Sequence, residues 1–315
     1  MSEFDLINQF FRSMPQQRND VVLGIGDDCA ILQVPEGKQL VVSTDTLVSG
    51  VHFPAQTAAR DIGYKSLAVN LSDLAAMGAD PAWVTLCLTL PENDPVWLEG
   101  FVKGFSELLV EHKLQLVGGD TTHGPLSISV HVSGFVQPEK VMRRDRAQPG
   151  DLVYVTGTIG DAGLGLEMLK KNSSEKNTCV IKLNRPEPRN YFALALKEFC
   201  HCAIDVSDGL LADLQHICDE SHCGAELLAS DIPLSNELKE YYGGEVDVNK
   251  VLTAGDDYEL CFTVNEKYNQ RVLEISKETG LQTSCIGKIT EGSHVVCLDE
   301  HNAVIETSVM GYEHF

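Results

Sequence analysis

The chain has 315 residues, 43% of them hydrophobic and 22% charged, values that exclude a disordered chain and suit two domains of ordinary size. Its 24 Lys and Arg face 46 Asp and Glu, and the net charge of -22 argues against a nucleic-acid or membrane-surface role, because such a surface repels phosphate backbones and anionic lipid. There is no early basic and apolar leader and no apolar run of about 18 residues, and the cysteines read most simply as reduced thiols, so a cytoplasmic protein of enzyme size is expected.

Leu6, Ile7, Phe10 and Phe11 recur at helical spacing behind a capping-box-like Ser2 and Asp5, which predicts an opening amphipathic helix. A strand over 21–25 runs into Gly26-Asp27-Asp28, and another over 39–44 ends in Asp45. The Ala- and Leu-rich stretch 58–77, closed by Gly78, reads as a helix. Strands follow at 83–90, between Pro81 and Pro91, at 114–117, stopping at Gly118-Gly119-Asp120, and at 126–136, with helical periodicity over 97–111. Gln148-Pro149-Gly150-Asp151 marks the expected domain boundary, giving domains 1–148 and 149–315.

Beyond it come a strand at 152–155, a Gly-containing loop and helix over 158–169, and a polar surface loop at 170–177. A strand at 203–206 meets Ser207-Asp208-Gly209, and Leu210, Leu211, Leu214, Ile217 and Cys218 then form one apolar helix face. Gly255-Asp256-Asp257 precedes a strand over 258–264. Strands and helices alternate in both halves, which predicts a two-domain α/β protein.

Acidic residues recur at the predicted strand ends, often beside glycine: Asp27-Asp28, Asp45, Asp120, Asp205 to Asp208, and Asp256-Asp257. Asp73, three residues after Asn70 on the same helical face, adds a sixth element. Each Gly-Asp pair alone is ordinary turn chemistry. Converged, two carboxylates ~4 Å apart repel by about 4 kcal/mol at an effective dielectric of 20, so the set would need divalent cations. All-oxygen ligands favour Mg²⁺ or Mn²⁺ over zinc, and such a site suits phosphoryl transfer from a nucleotide, where metals hold anions together.

Two glycine patterns carry less. Gly24-Ile25-Gly26-Asp27-Asp28-Cys29 has Cys29 where a dinucleotide fingerprint needs its third glycine, and the 157–163 stretch lacks the Lys-Ser/Thr of a Walker loop. Cys200, His201, Cys202, His216, Cys218, His222 and Cys223 admit a zinc reading, but Cys218 lies on an apolar face and buried thiols are the simpler account.

The ordered set Leu23-Gly24-Ile25-Gly26-Asp27-Asp28-Cys29-Ala30, Ser43-Thr44-Asp45-Thr46-Leu47, Asn70-Leu71-Ser72-Asp73, Gly118-Gly119-Asp120-Thr121-Thr122, Ile204-Asp205-Val206-Ser207-Asp208-Gly209-Leu210 and Asp257-Tyr258-Glu259-Leu260 resembles thiamine-monophosphate kinase over nearly the whole chain. That family shares a superfamily with aminoimidazole ribonucleotide synthetase and selenophosphate synthetase. The resemblance implies ATP-dependent conversion of thiamine monophosphate to thiamine diphosphate. It also implies a homodimer in which the N-terminal mixed sheets pair, and a C-terminal α/β domain.

Carried over by motif, Asp28, Ser43, Thr44, Asp45, Asp73, Asp120, Asp205 and Asp208 would hold several Mg²⁺ ions, with room for a monovalent cation. Gly119, Asp120, Arg144 and Ser207 would contact ATP, and His52, Asp256 and Tyr312 the thiamine end. No general base is implied, since a phosphate monoester oxygen is already anionic near pH 7. The family often has Gly-Gly-Glu-Asp where this chain has Ala254-Gly255-Asp256-Asp257, an acid one methylene shorter. The rival readings are another ATP-using member of the superfamily, a non-catalytic divalent-metal-binding protein, and a nicotinamide oxidoreductase. Against the selenophosphate branch, the first cysteine is Cys29, inside the acidic turn.

Overall fold

A computed structural model describes residues 7–12, 14, 17–171, 177–306 and 311–312. The chain divides into two compact units, Met1–Leu74 with Ala79–Glu139, and Ala75–Gly78 with Lys140–Phe315.

The first unit contains β1 (Val21–Leu23), β2 (Ile31–Leu32), β3 (Gln39–Val48), α1 (Ala59–Ala76, its last residues grouped with the second unit), β4 (Asp80–Leu90), α2 (Pro95–Glu111), β5 (Gln115–His123) and β6 (Ser127–Val136). Its main sheet has the order β3-β6-β4-β5 and is mixed: β4 and β5 are parallel, joined by the α2 crossover, and the other pairs are antiparallel. Period-two alternation gives β3 a two-faced character. Val41, Ser43 and Asp45 are partly covered while Leu40, Val42, Thr44 and Thr46 are exposed.

Helix α1 is covered almost all round, its polar Lys65, Ser66, Asn70 and Ser72 included, which accounts for the lack of a single polar stripe. It crosses α2 where each helix offers a glycine: a side chain at Gly63 would collide with the Phe101 carbonyl, and one at Gly104 with that of Arg60. Asp94 caps α2 by accepting from Val96 N–H at 2.9 Å, with Pro95 in the first helical position. Trp83 packs edge-on against Phe135 at 4.9 Å in a small core with Ala82 and Val117.

Three strand expectations needed extension. β3 continues through Asp45 to Val48, and β5 continues through Gly118-Gly119-Asp120 to His123. Glycine does not interrupt β5, because Gly119 is where two strands approach closely: a side chain there would strike the Leu86 carbonyl of β4. β4 starts at Asp80 and accommodates Pro81 beside a register irregularity. The opening helix falls largely outside the described residues, as do Ser2, Asp5 and Leu6, and the described part is one wide turn, Ile7–Phe11, that buries Phe11.

The second unit contains β7 (Leu152–Thr156), α3 (Asp161–Lys170), α4 (Thr178–Asn184), α5 (Asn190–Leu196), β8 (Cys202–Asp205), α6 (Leu210–Ser221), β9 (Gly224–Leu228), α7 (Asn236–Tyr241), α8 (Val248–Leu252), β10 (Leu260–Val264), α9 (Asn269–Thr279), β11 (Thr283–Thr290) and β12 (Val295–Leu298). Its sheet has the order β12-β9-β11-β7-β10-β8, antiparallel throughout except for β12 beside β9. The α6 face read from sequence is buried at all five positions. Residues ahead of Pro149-Gly150 already pack with this unit: Met142 lies in its core and Ser221 donates to the Arg144 carbonyl at 2.6 Å. Much of the 170–177 loop lies outside the described residues. Among the described residues no helix is long and apolar enough to cross a membrane.

Candidate active site

In the first unit the covered face of β3 meets α1 at Asp45 and Asp73. Ser43, two residues before Asp45 on that face, donates to Asp73 Oδ2 at 2.5 Å, and Asn70, one turn before Asp73, accepts from the Asp45 N–H at 3.1 Å. Asn70 is itself held by the Ser66 carbonyl at 3.0 Å. Burial, and then the carboxylate of Asp73, push the Asp45 carboxyl up to about 7. A pair so placed keeps a proton near neutrality or exchanges it for a cation. Thr44 lies on the opposite face, its hydroxyl 2.7 Å from His131 Nδ1, as strand alternation demands.

A separate cleft of about 560 Å³ brings Gly26-Asp27-Asp28 beside Gly118-Gly119-Asp120. Asp45 and Asp73 do not line it. Arg12, which the sequence reading passed over, contributes the one basic side chain among the described residues that line it, and a Cβ on Gly26 would come within 3.1 Å of the guanidinium. His52 sits in the turn after β3, and its Nδ1 accepts from the Val48 N–H at 3.0 Å, which leaves the proton of the neutral ring on Nε2.

In the second unit Asp205 is the last residue of β8, and Ser207-Asp208-Gly209 forms the turn into α6. The N–H groups of all three turn residues donate to Asp213 Oδ2, at 3.0, 3.1 and 3.1 Å. Burial, and then Asp208, push the Asp213 carboxyl up to about 7 against the pull of those three donors. Asp208, Asp213 and His216 have ligand atoms within 4.8 Å of one another, the one such trio among the described residues. Asp213 was not singled out from sequence, and His216 entered only in the zinc reading with the cysteines, although Asp-x-x-His on the first turns of a helix was there to be read. Cys200, Cys202, Cys218 and Cys223 are buried free thiols.

The loop before β10 zips onto the same turn. Asp256 N–H donates to the Ser207 carbonyl at 2.9 Å, and Tyr258 N–H to that of Val206 at 2.8 Å, with Asp256 and Tyr258 both at positive φ. Asp257 turns inward, accepting from Gly160 and Ala162 N–H at 2.7 and 3.2 Å at the start of α3, and burial raises its carboxyl well above the usual range. Glu259 is held by both arms of Arg189, at 2.6 and 2.7 Å, and by Thr156 at 2.6 Å. Near the C-terminus, Tyr312 N–H donates to the Asp208 carbonyl at 3.0 Å. Arg144 is exposed in a short turn whose neighbours Arg143 and Arg146 both face Asp145, at 2.5 and 3.6 Å.

The AIR synthase related protein N-terminal domain matches residues 26–136, and the C-terminal domain of that family matches 148–300. Thiamine-monophosphate kinase of Escherichia coli K12 is 44% identical over 319 aligned residues, covering 99% of this chain and 98% of that one. The chain belongs to the thiamine-monophosphate kinase family. A crystal structure of thiamine-monophosphate kinase from Stenotrophomonas maltophilia K279a superposes with a TM-score of 0.88 at 45% identity, covering 94% of this chain and 96% of that one. AaThiL complexed with AMPPCP and TMP superposes with a TM-score of 0.79 at 31% identity, covering 99% and 97%. The likeness to thiamine-monophosphate kinases thus spans both units, each of which carries acidic residues of the motif set.

Proposed function

We propose that the chain transfers the γ-phosphoryl group of ATP to thiamine monophosphate, giving thiamine diphosphate and ADP, as a cytoplasmic homodimer. The full-length likeness to thiamine-monophosphate kinases carries this reading, and the grouping of carboxylates in each unit supports it. The donor set fits Mg²⁺: the oxygens of Ser43, Asp45 and Asp73 are hard ligands, and a carboxyl protonated near neutrality beside a second carboxylate is relieved by a cation. In this reading Asp28 and Asp120 of the first unit and Asp205 and Asp208 of the second would also hold metal, and the inclusion of Thr44 rests on the family resemblance.

Bound there, Mg²⁺ would neutralise phosphate charge and hold the two anionic substrates in line. The protein's own work is then positioning. Ser207 has a small side chain and so lets phosphates approach, Gly119 is assigned to ATP by its motif alone, and Arg144 has an exposed guanidinium to offer. His52 donates from Nε2 as a substrate contact and not as a base, because the attacking phosphate oxygen is already ionised. The Tyr312 ring, half-exposed, suits the face of a thiazolium cation, and Asp256 supplies a nearby negative charge. No covalent enzyme intermediate is required. The exposed β3 residues Leu40 and Val42 support sheet pairing in a dimer.

The test is incubation with ATP, Mg²⁺ and thiamine monophosphate, followed by chromatographic separation of the thiamine esters. Thiamine diphosphate matching ADP one for one is the expected product. ATP hydrolysis without a new thiamine ester would overturn the substrate assignment.

A further inference from the structure

We propose that Asp213 is a positioning residue for this reaction: a single buried carboxylate oxygen sets the Ser207-Asp208-Gly209 turn and, through it, Asp208, Asp256 and Tyr312 together. The inference rests on the functional reading above and adds a residue to it.

Helix α6 begins without a side-chain cap, because its N-cap is Gly209, at φ +126°. Asp213 acts from inside the helix on different donors, the Gly209 N–H and the two N–H groups before it, reaching back to all three with Oδ2 while only 2% exposed. Those three donors occupy the lone pairs of that oxygen, so Oδ2 is spent on the backbone. The turn then presents its own carbonyls to two other segments. The Ser207 carbonyl takes the Asp256 N–H at 2.9 Å, and the Asp208 carbonyl takes the Tyr312 N–H at 3.0 Å.

Both segments reach the turn through a glycine. A Cβ on Gly255 would lie 2.5 Å from the Ser207 carbonyl oxygen, and one on Gly311 would lie 2.8 Å from that of Asp208 and 2.6 Å from Ala212 Cβ. Three residues assigned to metal and substrate therefore hang on one turn, and that turn hangs on Asp213. Releasing it frees the Asp208 backbone and loosens the seats of Asp256 and Tyr312 together.

The variants are Asp213→Asn, which keeps an acceptor oxygen, Asp213→Ala, which removes it, and Asp213→Ser, whose hydroxyl is too short to span the turn and which serves if the alanine variant fails to fold. Amide exchange at 207–209 is read by mass spectrometry alongside kcat, the KM for thiamine monophosphate and the Mg²⁺ concentration for half-maximal rate. For Ala or Ser, kcat should fall about 10–100-fold, with KM and Mg²⁺ requirement both raised and 207–209 exchanging faster, since ångström-scale misplacement costs on that order. The Asn variant should stay within about threefold of the parent, because the acceptor is retained.

Two results would overturn the role. Unchanged kcat, KM and Mg²⁺ requirement per folded molecule, with only a lower melting temperature, would make Asp213 a stability element. Equal damage in Asn and Ala, with Mg²⁺ requirement raised in both, would make it a metal ligand. A parent protein that forms no thiamine diphosphate would sink the functional reading instead, and the exchange data would still report separately whether Asp213 holds the turn.

Discussion

Proton release on metal binding follows directly from the Asp45–Asp73 pair. The Asp45 carboxyl is held up to about 7, against an ordinary value of 3.8, by burial and then by Asp73. Such a group is about 0.9 protonated at pH 6, about 0.5 at pH 7 and about 0.1 at pH 8, so Mg²⁺ entering the pair displaces those fractions of a proton. The sign follows: the proton competes below pH 7 and vanishes above it. Mg²⁺ affinity at this pair should therefore be about tenfold weaker at pH 6 than at pH 8, level above pH 8, and fall a further tenfold per unit below pH 6. The assay is Mg²⁺ titration of the nucleotide-free protein in weak buffer with a pH indicator, backed by calorimetry in two buffers of different ionisation enthalpy. Asp213, also raised to about 7 beside Asp208, can contribute a proton of its own, so the diagnostic quantity is the difference between the parent and Asp45→Asn. Release that is identical in the two proteins at pH 6 to 7, or a parent affinity flat from pH 6 to 8, would refute the reasoning.

Other outcomes follow from single contacts. Glu259→Gln strips the largely covered Arg189 guanidinium of its bidentate carboxylate and leaves it Glu187, at 2.7 Å, so the urea midpoint should drop by the equivalent of about 1.5–3 kcal/mol, whereas a well-packed apolar pair at both positions should recover much of it. His112, 7% exposed, is pushed by burial down to about 4 from 6.5. The unfolded chain then takes up a proton that the fold refuses, so stability present above pH 6.5 is lost as pH falls to 4, by up to about 3 kcal/mol. His112→Asn should flatten that acid limb in denaturant titrations at stepped pH, and an unaltered limb would show that the burial of His112 is not its cause. Gly119→Val should separate β4 from β5 and lower the melting temperature by several degrees, because the side chain has only the Leu86 carbonyl to occupy.

What could be read from the sequence was local. The bounds of α1 and the apolar face of α6 follow from periodicity and a closing Gly78, and the structure keeps both. The acidic motifs were legible as a set, but their places were not. Asp45 and Asp120 were expected at strand ends and lie within strands, because Ser43, Asn70 and Asp73 shelter the one and glycine-permitted strand contact carries the backbone past the other. Adjacent acids also diverge: Asp256 stays with the Ser207 turn while Asp257 caps α3 from inside the core, a difference no spacing rule contains. Asp213 escaped notice because its partners are backbone N–H groups, which look the same for every residue type. The helices at 178–184, 190–196, 236–241, 248–252 and 269–279 and the strands β2, β9, β11 and β12 were not anticipated. The first four helices are short, and the strands are placed by long-range pairing that a sequence window does not see.

The most direct test of the phosphoryl-transfer account is the initial rate of labelled thiamine diphosphate formation from γ-labelled ATP at saturating Mg²⁺, in the parent and in Asp45→Asn and Asp73→Asn. The account predicts label in the terminal phosphate of thiamine diphosphate for the parent, and rates at least ~10²-fold lower in both variants with melting temperatures preserved. Near-parental rates in either variant, or label appearing only as inorganic phosphate in the parent, would contradict it.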